Sequence, residues 1–290
     1  MVVVDTAVTA LARANAKLDK PDWLAKKRAV DIRFDRLQPL KALQLARAAI
    51  GDLPYDSYAQ PIEGRRKKLL VADMDSTILV GETIDELAAE VGKKAEIARI
   101  TALAMDGKLK YAESLKQRVN ALAGLWVDKL DATYARLAVS AGAATLVATM
   151  EKHGALTVLV TGGFTYFTDR VAAALGFDRV HANELEIVGG KLTGVVKEPI
   201  LDGNAKRTVL EQTARELKIE LREAVAVGDG ANDRGMIEGA GLGVAYRAKP
   251  ALADYADARL DHADLTGLLY LQGYREDELV VRPDTLTPPA

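Results

Sequence analysis

The chain has 290 residues, 49% of them hydrophobic and 28% charged, which is typical of a globular protein with one large or two smaller domains. Its 39 basic and 41 acidic residues give a net charge of −2, which favours neither a nucleic-acid partner nor binding to an anionic membrane. It has no cysteine, which excludes disulfides, zinc–thiolate sites and cysteine nucleophiles. No apolar run approaches the length that spans a bilayer, and the sequence starts without a basic, apolar leader, so we expect a cytoplasmic protein.

The first sixty or so residues are predicted to form a separate small α/β unit. Apolar periodicity indicates helices over 6–18 and 37–50, and the alternating segment 29–34 is typical of a strand. Prolines among polar residues make 51–64 a linker. We interpret the basic run at 65–68 as a solvated lead-in to the next strand, the alternative being a basic docking patch.

Short apolar runs separated by helical patterns predict a parallel sheet from residue 69 onward. These runs are 69–72, 156–160, 224–227 and 242–245. Strands that alternate with helices favour right-handed βαβ crossovers. We therefore expect an α/β fold with a Rossmann-like, three-layer core around this sheet.

The interval between the first two runs is about eighty residues, far more than one crossover helix requires. Within it, periodicity predicts four helices, at 84–91, 95–105, 111–123 and 127–139. We interpret these helices as a helical-bundle cap inserted directly after the first strand.

A smaller insert is predicted later, where 182–188 and 191–196 flank two glycines as a β-hairpin. The expected organisation has three parts: an N-terminal unit with its linker, a core in two segments, and the cap. These parts are residues 1–64, residues 65–81 with 141–290, and residues 82–140.

Two aspartates, Asp73 and Asp75, follow the first buried run, at the strand end where ligands of open α/β sheets bind. Side chains alternate along an extended segment, so both carboxylates can point the same way. Close carboxylates repel each other unless a cation or a shared proton holds them. No histidine or cysteine lies nearby, so the natural cation is a hard one such as Mg²⁺. The alternative is a turn that only caps the helix beginning near Thr83.

Two other strand ends also carry groups suited to an anion or a cation. The segment Thr161-Gly162-Gly163 offers a hydroxyl and backbone N–H groups before a helix, although such turns are common in α/β proteins. The segment 228–233 brings Asp229, Asn232 and Asp233, although Asp and Gly are also ordinary turn residues. Lys206 lies on the apolar face of a helix predicted over 203–218, with snorkelling to the surface as the alternative.

In chain order, these segments match the four motifs of the haloacid dehalogenase superfamily of phosphohydrolases, which the chain resembles from about residue 67 to 274. Parts of the predicted cap are similar to the cap of the phosphoserine phosphatase family. These parts are 82–88, 100–107, 114–115 and 118–119. The resemblance implies Mg²⁺-dependent hydrolysis of O-phospho-L-serine to L-serine and phosphate, the last step of L-serine biosynthesis.

The resemblance also implies roles for the core residues. Asp73 is the expected nucleophile, forming an aspartyl-phosphate, and Asp75 the expected general acid and base. Mg²⁺ is expected to be held by Asp73, the backbone carbonyl of Asp75, and Asp229. Phosphate oxygens are expected to bind a set of hydroxyl, backbone and cationic groups from three segments. This set is Thr161, Gly162, Gly163, Lys206 and Asn232. Lys206 is also expected to be catalytic. Asp233 is expected to orient Lys206 without binding the phosphate or the metal itself.

Substrate selection is expected to come from the cap. By resemblance, Glu82 binds the ammonium group of phosphoserine, Arg118 binds its carboxylate, and Met105 and Tyr111 form an apolar wall. Ordinary helix-end, surface or core positions are the alternatives for these four residues. The family usually has serine at the position of Thr161 and phenylalanine at that of Tyr111.

Two other functions are kept beside the main one. The first is a related phosphatase or phosphotransferase for another small phosphomonoester, and the second is a phospho-amino-acid sensor that binds without turnover. Whether the chain forms a homodimer is left open.

Overall fold

The N-terminal unit combines two helices with short antiparallel strands in the computed structural model, which describes residues 2–105, without the side chain of Met105, and 108–286. Its elements are α1 (Val2–Arg13), β1 (Lys17–Leu18), β2 (Asp22–Ala25), β3 (Ala29–Asp31), β4 (Phe34–Asp35) and α2 (Pro39–Ile50). The helix predicted over 6–18 ends earlier, because the left-handed backbone of Asn15 (φ 65°) turns the chain into β1. The strand predicted at 29–34 is divided between β3, which pairs with β2, and β4, which pairs with β1.

The basic run at 65–68 is a solvated lead-in only at Arg66 and Lys68, which are exposed. The guanidinium of Arg65 binds both carboxylate oxygens of Asp31, at 2.5 and 3.1 Å, and the carbonyl of Leu271 at 3.2 Å. Lys67 is buried, and its ammonium donates to two backbone carbonyls. The run therefore attaches the N-terminal unit to the last part of the chain, a long-range contact that local sequence does not reveal.

The predicted parallel sheet is confirmed and has six strands, in the order β12-β11-β10-β5-β6-β7. From β5 onward the strands are β5 (Leu69–Ala72), β6 (Leu156–Phe164), β7 (Arg179–Asn183), β8 (Leu185–Val188), β9 (Lys191–Val196), β10 (Ala224–Gly228), β11 (Leu242–Tyr246) and β12 (Ala258–Leu260). The separate hairpin β8–β9 is shorter than predicted, because residues 182 and 183 belong to β7 of the main sheet.

Within the described residues, four α-helices lie between β5 and residue 140, as predicted. They are α3 (Thr83–Glu90), α4 (Lys94–Met105), α5 (Tyr111–Asn120) and α6 (Val127–Tyr134). The last helix ends five residues before the predicted end, because Ala138 and Val139 pair with the outgoing chain at Val80 and Leu79. The two connections to the helical insertion thus run side by side.

Helices cover both faces of the sheet. They are α7 (Ala143–Lys152), α8 (Thr165–Leu175), α9 (Gly203–Glu216), α10 (Arg234–Gly239), α11 (Pro250–Ala253) and α12 (Gly267–Leu271). Alternate residues of β5 face different clusters: Leu70 and Ala72 pack with α7 and α8, whereas Leu69 and Val71 pack with α9 and α10. The fully buried strand therefore lies between two apolar layers, which is the expected α/β architecture.

The last described segment, 279–286, lies along α7 and reaches the insertion. The carboxylate of Asp284 accepts hydrogen bonds from the N–H groups of Gly142 and Ala144, at 2.8 and 2.9 Å, and so caps α7. The hydroxyl of Tyr134, at the end of α6, donates to the carbonyl of Leu286 at 3.1 Å. Among residues 2–105 and 108–286, no helix has the length and apolar character needed to cross a bilayer.

We expect Arg65→Ala to lower the free energy of unfolding by about 2 kcal/mol, because the substitution leaves a largely buried Asp31 carboxylate without its charged donor. Urea unfolding measures this change. Arg222→Ala is the control, since its ion pair with Glu220 is exposed and should contribute less than about 0.5 kcal/mol. Equal effects of the two substitutions would contradict the assigned attachment.

Candidate active site

The carboxylate of Asp73 lies at the carboxyl end of β5, the central strand of the site. Its Oδ1 accepts the N–H of Met74 at 2.8 Å and lies 2.6 Å from the ammonium of Lys206. Burial, and next the charge of Asp233, raise the pKa of Asp73 well above its ordinary value, while Lys206 opposes the rise. A buried carboxylate with an adjacent cation is suited to act as a nucleophile.

Asp75 lies on the same side, directly before Ser76, which takes the left-handed conformation (φ 56°). One oxygen of Asp75 accepts the N–H of Thr83 at 2.9 Å, and the other accepts the hydroxyl of Thr161 at 3.2 Å. The alternative function, a turn that only caps the helix beginning at Thr83, therefore accounts for one oxygen of Asp75 but not for the other. Burial, and next the charge of Glu82, raise the pKa of Asp75 to about 6, so this carboxyl group can hold or release a proton near neutral pH.

The segment 161–163, near the carboxyl end of β6, carries the predicted anion-binding groups to the same place. The hydroxyl of Thr161 accepts the N–H of Gly163 at 2.9 Å while it donates to Asp75. A Cβ atom on Gly162 would overlap the hydroxyl of Tyr111 from the helical insertion. Glycine at 162 therefore permits the close approach of insertion and core.

Lys206 points into the site, so the snorkelling alternative is wrong. Its side chain is 2% exposed, and its ammonium lies 2.6 Å from Asp73 and 2.5 Å from Asp233. Burial alone would lower the pKa of Lys206, but the charges and hydrogen bonds of the two carboxylates raise it above its ordinary value. Lys206 is therefore a permanent cation in the site.

Asp229 and Asp233 follow β10 and differ in how their oxygens are used. Asp233 Oδ2 accepts the N–H groups of Asp229 and Gly230, at 3.1 and 3.0 Å, and its Oδ1 binds Lys206. Both oxygens of Asp233 thus already have donors, which supports a role for Asp233 in orienting Lys206. Asn232 is exposed beside them, with its amide 3.5 Å from Asp233.

Oxygen atoms of three buried aspartates, Asp73, Asp229 and Asp233, lie within 4.8 Å of one another. Burial also raises the pKa of Asp229, as expected for a carboxylate that lacks full charge compensation. Carboxylate oxygens without nitrogen or sulfur donors are the ligands of a hard divalent cation. The donor set therefore fits a metal ion.

Lys249 also belongs to the site, although no role there was predicted for it from the sequence. Its ammonium lies 3.1 Å from Asp229 and 3.8 Å from Glu82, and its N–H donates to the carbonyl of Asp229 at 2.9 Å. Its sequence signal was weak: it is a lysine three residues after the strand β11. It links the loop after β10 to the first residue before α3.

Two of the four predicted residues of the insertion, Glu82 and Tyr111, contact the segments that carry the site. Glu82 accepts the hydroxyl of Ser76 at 3.1 Å, and the hydroxyl of Tyr111 lies 3.4 Å from the carbonyl of Gly162. Arg118 is half-buried on α5, and its charge opposes the rise that burial causes in the pKa of Tyr111. Met105 ends α4, but its side chain lies outside the described part of the structure.

Comparison with known proteins relates the chain to a family of hydrolases. The model of the haloacid dehalogenase-like hydrolases matches residues 70–238, more than half of the chain. The phosphoserine phosphatase of Archaeoglobus fulgidus is 45% identical over 215 residues, which cover 74% of this chain. The matched region spans 61% of that relative's length.

Two solved structures are similar in fold. A HAD family hydrolase from Salmonella enterica subsp. enterica serovar Typhi has a TM-score of 0.83 at 29% identity, covering 92% of this chain and 94% of that chain. A phospho-aspartyl intermediate analogue of phosphoserine phosphatase has a TM-score of 0.66 at 40% identity, covering 71% and 98%. The chain belongs to the haloacid dehalogenase-like hydrolase family.

Proposed function

We propose that the protein is a Mg²⁺-dependent phosphoserine phosphatase that hydrolyses O-phospho-L-serine in the cytoplasm. One observation carries the proposal: Asp73, Asp75 and Lys206 converge, buried, beside the Thr161 turn. A nucleophile, a proton donor and a cation around an anion-binding turn are the parts that phosphoryl transfer through a covalent intermediate requires. The family and the named relatives support the same reaction.

The first half-reaction forms an aspartyl-phosphate. A carboxylate oxygen of Asp73 attacks phosphorus, the bond between phosphorus and the serine oxygen breaks, and Asp75 gives its proton to that oxygen. In the second half-reaction Asp75 removes a proton from water, the water oxygen attacks phosphorus, and the bond to Asp73 breaks. The hydrogen bond from Thr161 holds Asp75 in reach of both proton transfers.

The phosphate oxygens are bound by the Thr161 hydroxyl, the N–H groups of Gly162 and Gly163, Lys206 and Asn232. Lys206 keeps its charge throughout, because two carboxylates raise its pKa, so it counters the negative charge that develops on the phosphoryl oxygens. Asp233 holds Lys206 in place through the contact at 2.5 Å.

Mg²⁺ would be held by Asp73, the backbone carbonyl of Asp75, and Asp229. Bound there, it would neutralise negative charge on the carboxylates and the phosphate, which allows an anionic nucleophile to approach an anionic substrate. The ammonium of Lys249 lies 3.1 Å from Asp229 and orients that carboxylate.

Specificity for phosphoserine comes from the helical insertion, which we assign as a cap over residues 82–140. Glu82 faces the substrate ammonium, Arg118 its carboxylate, and Met105 and Tyr111 its methylene group. Besides burial, the charge of Glu82 raises the pKa of Asp75, which supports a position of Glu82 close to the reacting groups. The charge of Arg118 opposes the rise that burial causes in the pKa of Tyr111, which supports a position of Arg118 beside Tyr111.

The sensor alternative has less support than the enzyme. A binding protein needs the anion-binding turn and Lys206, but it has no use for an Asp75 whose pKa is raised to about 6 beside the nucleophile. A phosphatase for another small phosphomonoester is distinguished by Arg118, which a substrate without a carboxylate does not require.

Asp73→Asn is expected to lower kcat on the order of 10³-fold or more, because an amide is a poor nucleophile toward phosphorus. Phosphate release from O-phospho-L-serine with Mg²⁺ measures this. Asp254→Asn, an exposed position outside the site, should retain the wild-type rate. Tight binding by the wild type without any release would favour the sensor.

Arg118→Ala is expected to reduce the preference for O-phospho-L-serine over phosphoethanolamine, which lacks the carboxylate, by about 10- to 100-fold in kcat/KM, the value of one charge-assisted hydrogen-bonded pair. Lys116→Ala is the matched control, because Lys116 lies on the same helix but pairs with Glu198 at the surface. A wild type that cleaves both substrates alike would disprove the phosphoserine assignment.

Removal of divalent metal by a chelator is expected to abolish phosphate release, and Mg²⁺ to restore it. Asp229→Asn should raise the Mg²⁺ concentration needed for half-maximal rate on the order of 10-fold or more, because one anionic ligand is lost. A Mg²⁺ titration of each protein measures the shift. Full activity of the chelated enzyme would contradict the metal assignment.

A further inference from the structure

The carboxamide of Asn183 bridges two segments of the proposed phosphate site. Asn183 ends β7 and is 1% exposed. Its Nδ2 donates to the carbonyl of Gly162 at 2.8 Å, and its Oδ1 accepts the N–H of Leu201 at 2.7 Å. One partner is an acceptor and the other a donor, so the orientation of the amide is determined by its surroundings.

The first contact lies at an irregularity of the sheet. Val160 pairs with His181 and Phe164 pairs with Asn183, so three residues of β6 lie opposite one residue of β7. β6 therefore bulges at 161–163, and a bulge leaves backbone groups without partners in the ladder. The Asn183 amide supplies the donor that the bulge removes.

This contact is connected to Asp75 through three successive links. The carbonyl of Gly162 and the N–H of Gly163 belong to one rigid peptide plane. That N–H donates to the Thr161 hydroxyl at 2.9 Å, and the hydroxyl donates to Asp75 at 3.2 Å. Holding the Gly162 carbonyl thus orients both the anion-binding turn and the carboxyl group beside the nucleophile.

The second contact leads to Lys206. Leu201 directly precedes Asp202, whose carboxylate caps α9 by accepting the N–H groups of Asn204 and Ala205, at 2.9 and 3.0 Å. Lys206 follows in the first turns of that helix. The same side chain therefore sets the relative position of the 161–163 bulge of β6 and the helix that carries the cation.

We propose that Asn183 is a positioning residue that aligns the Thr161-Gly162-Gly163 turn and Lys206 for binding and transfer of the phosphoryl group. The proposal rests on the phosphatase function above. Asn183 does not touch the reacting atoms; it acts through Gly162, Thr161 and Leu201.

The test compares Asn183→Leu, which keeps the size but removes both hydrogen bonds, with Asn183→Ser, whose smaller side chain leaves room for water and retains the fold more readily. Asp178→Ala is the matched control. Asp178 also joins β6 and β7, by accepting the N–H and hydroxyl of Thr157, but at the opposite end of the two strands. For each protein we would measure thermal unfolding, kcat and KM with O-phospho-L-serine and p-nitrophenyl phosphate, and calorimetric affinity for inorganic phosphate with Mg²⁺.

Both Asn183 variants are expected to lose kcat on the order of 10²-fold on both substrates, the effect of displacing reacting groups by about 1 Å. Their affinity for inorganic phosphate should fall in parallel. Asp178→Ala should lose a comparable amount of thermal stability while its kcat and phosphate affinity stay within about twofold of the wild type.

If the Asn183 variants lose stability but keep kcat and phosphate affinity within about threefold, Asn183 is a structural residue and the proposal is wrong. If the wild type binds phosphate but cleaves neither substrate, the proposed phosphatase function is wrong. The phosphate affinity of the Asn183 variants, compared with that of the wild type, then decides whether Asn183 is a positioning residue. A wild type that binds no phosphate overturns both.

Discussion

Mutual repulsion among buried carboxylates is the constraint on which the rest of the site depends. Asp73, Asp75, Asp229 and Asp233 meet at one edge of the sheet, where burial raises the pKa of the first three. Lys206 and Lys249 compensate only part of this charge. The remaining demand for positive charge explains why the same place is suited to a divalent cation, and why its backbone N–H groups point inward at the turns.

The parts of this arrangement that depend on short segments could be predicted from the sequence. The run Leu69–Ala72 is apolar because both of its faces are buried, and its strand end carries Asp73 and Asp75 for the same topological reason that brings the end of β6 and the turn after β10 beside it. The family resemblance added the expected roles. Those roles stay predictions for Glu82 and Arg118, whose partners would be groups of the substrate.

Other features could not be predicted, for identifiable reasons. β7 is an edge strand whose first four residues are only half-buried, so it lacks the apolar signature of β5, and its last residues were assigned to the hairpin. That boundary concealed Asn183 at a strand end. Arg65 and Lys249 bind residues roughly 200 and 20 positions away, respectively, and no local pattern encodes such pairs.

The last described residues connect parts of the molecule that are distant in sequence. Asp284 is fixed to the start of α7 in the core, whereas Leu286, two residues further on, receives the hydroxyl of Tyr134 from α6. Any rotation of α6 away from the core must break this bond, at a net free energy of about 1 kcal/mol. Residues 284–286 therefore hold the end of α6 to the start of α7, so a substitution among them would change how firmly the insertion is held against the core without altering a group of the candidate site.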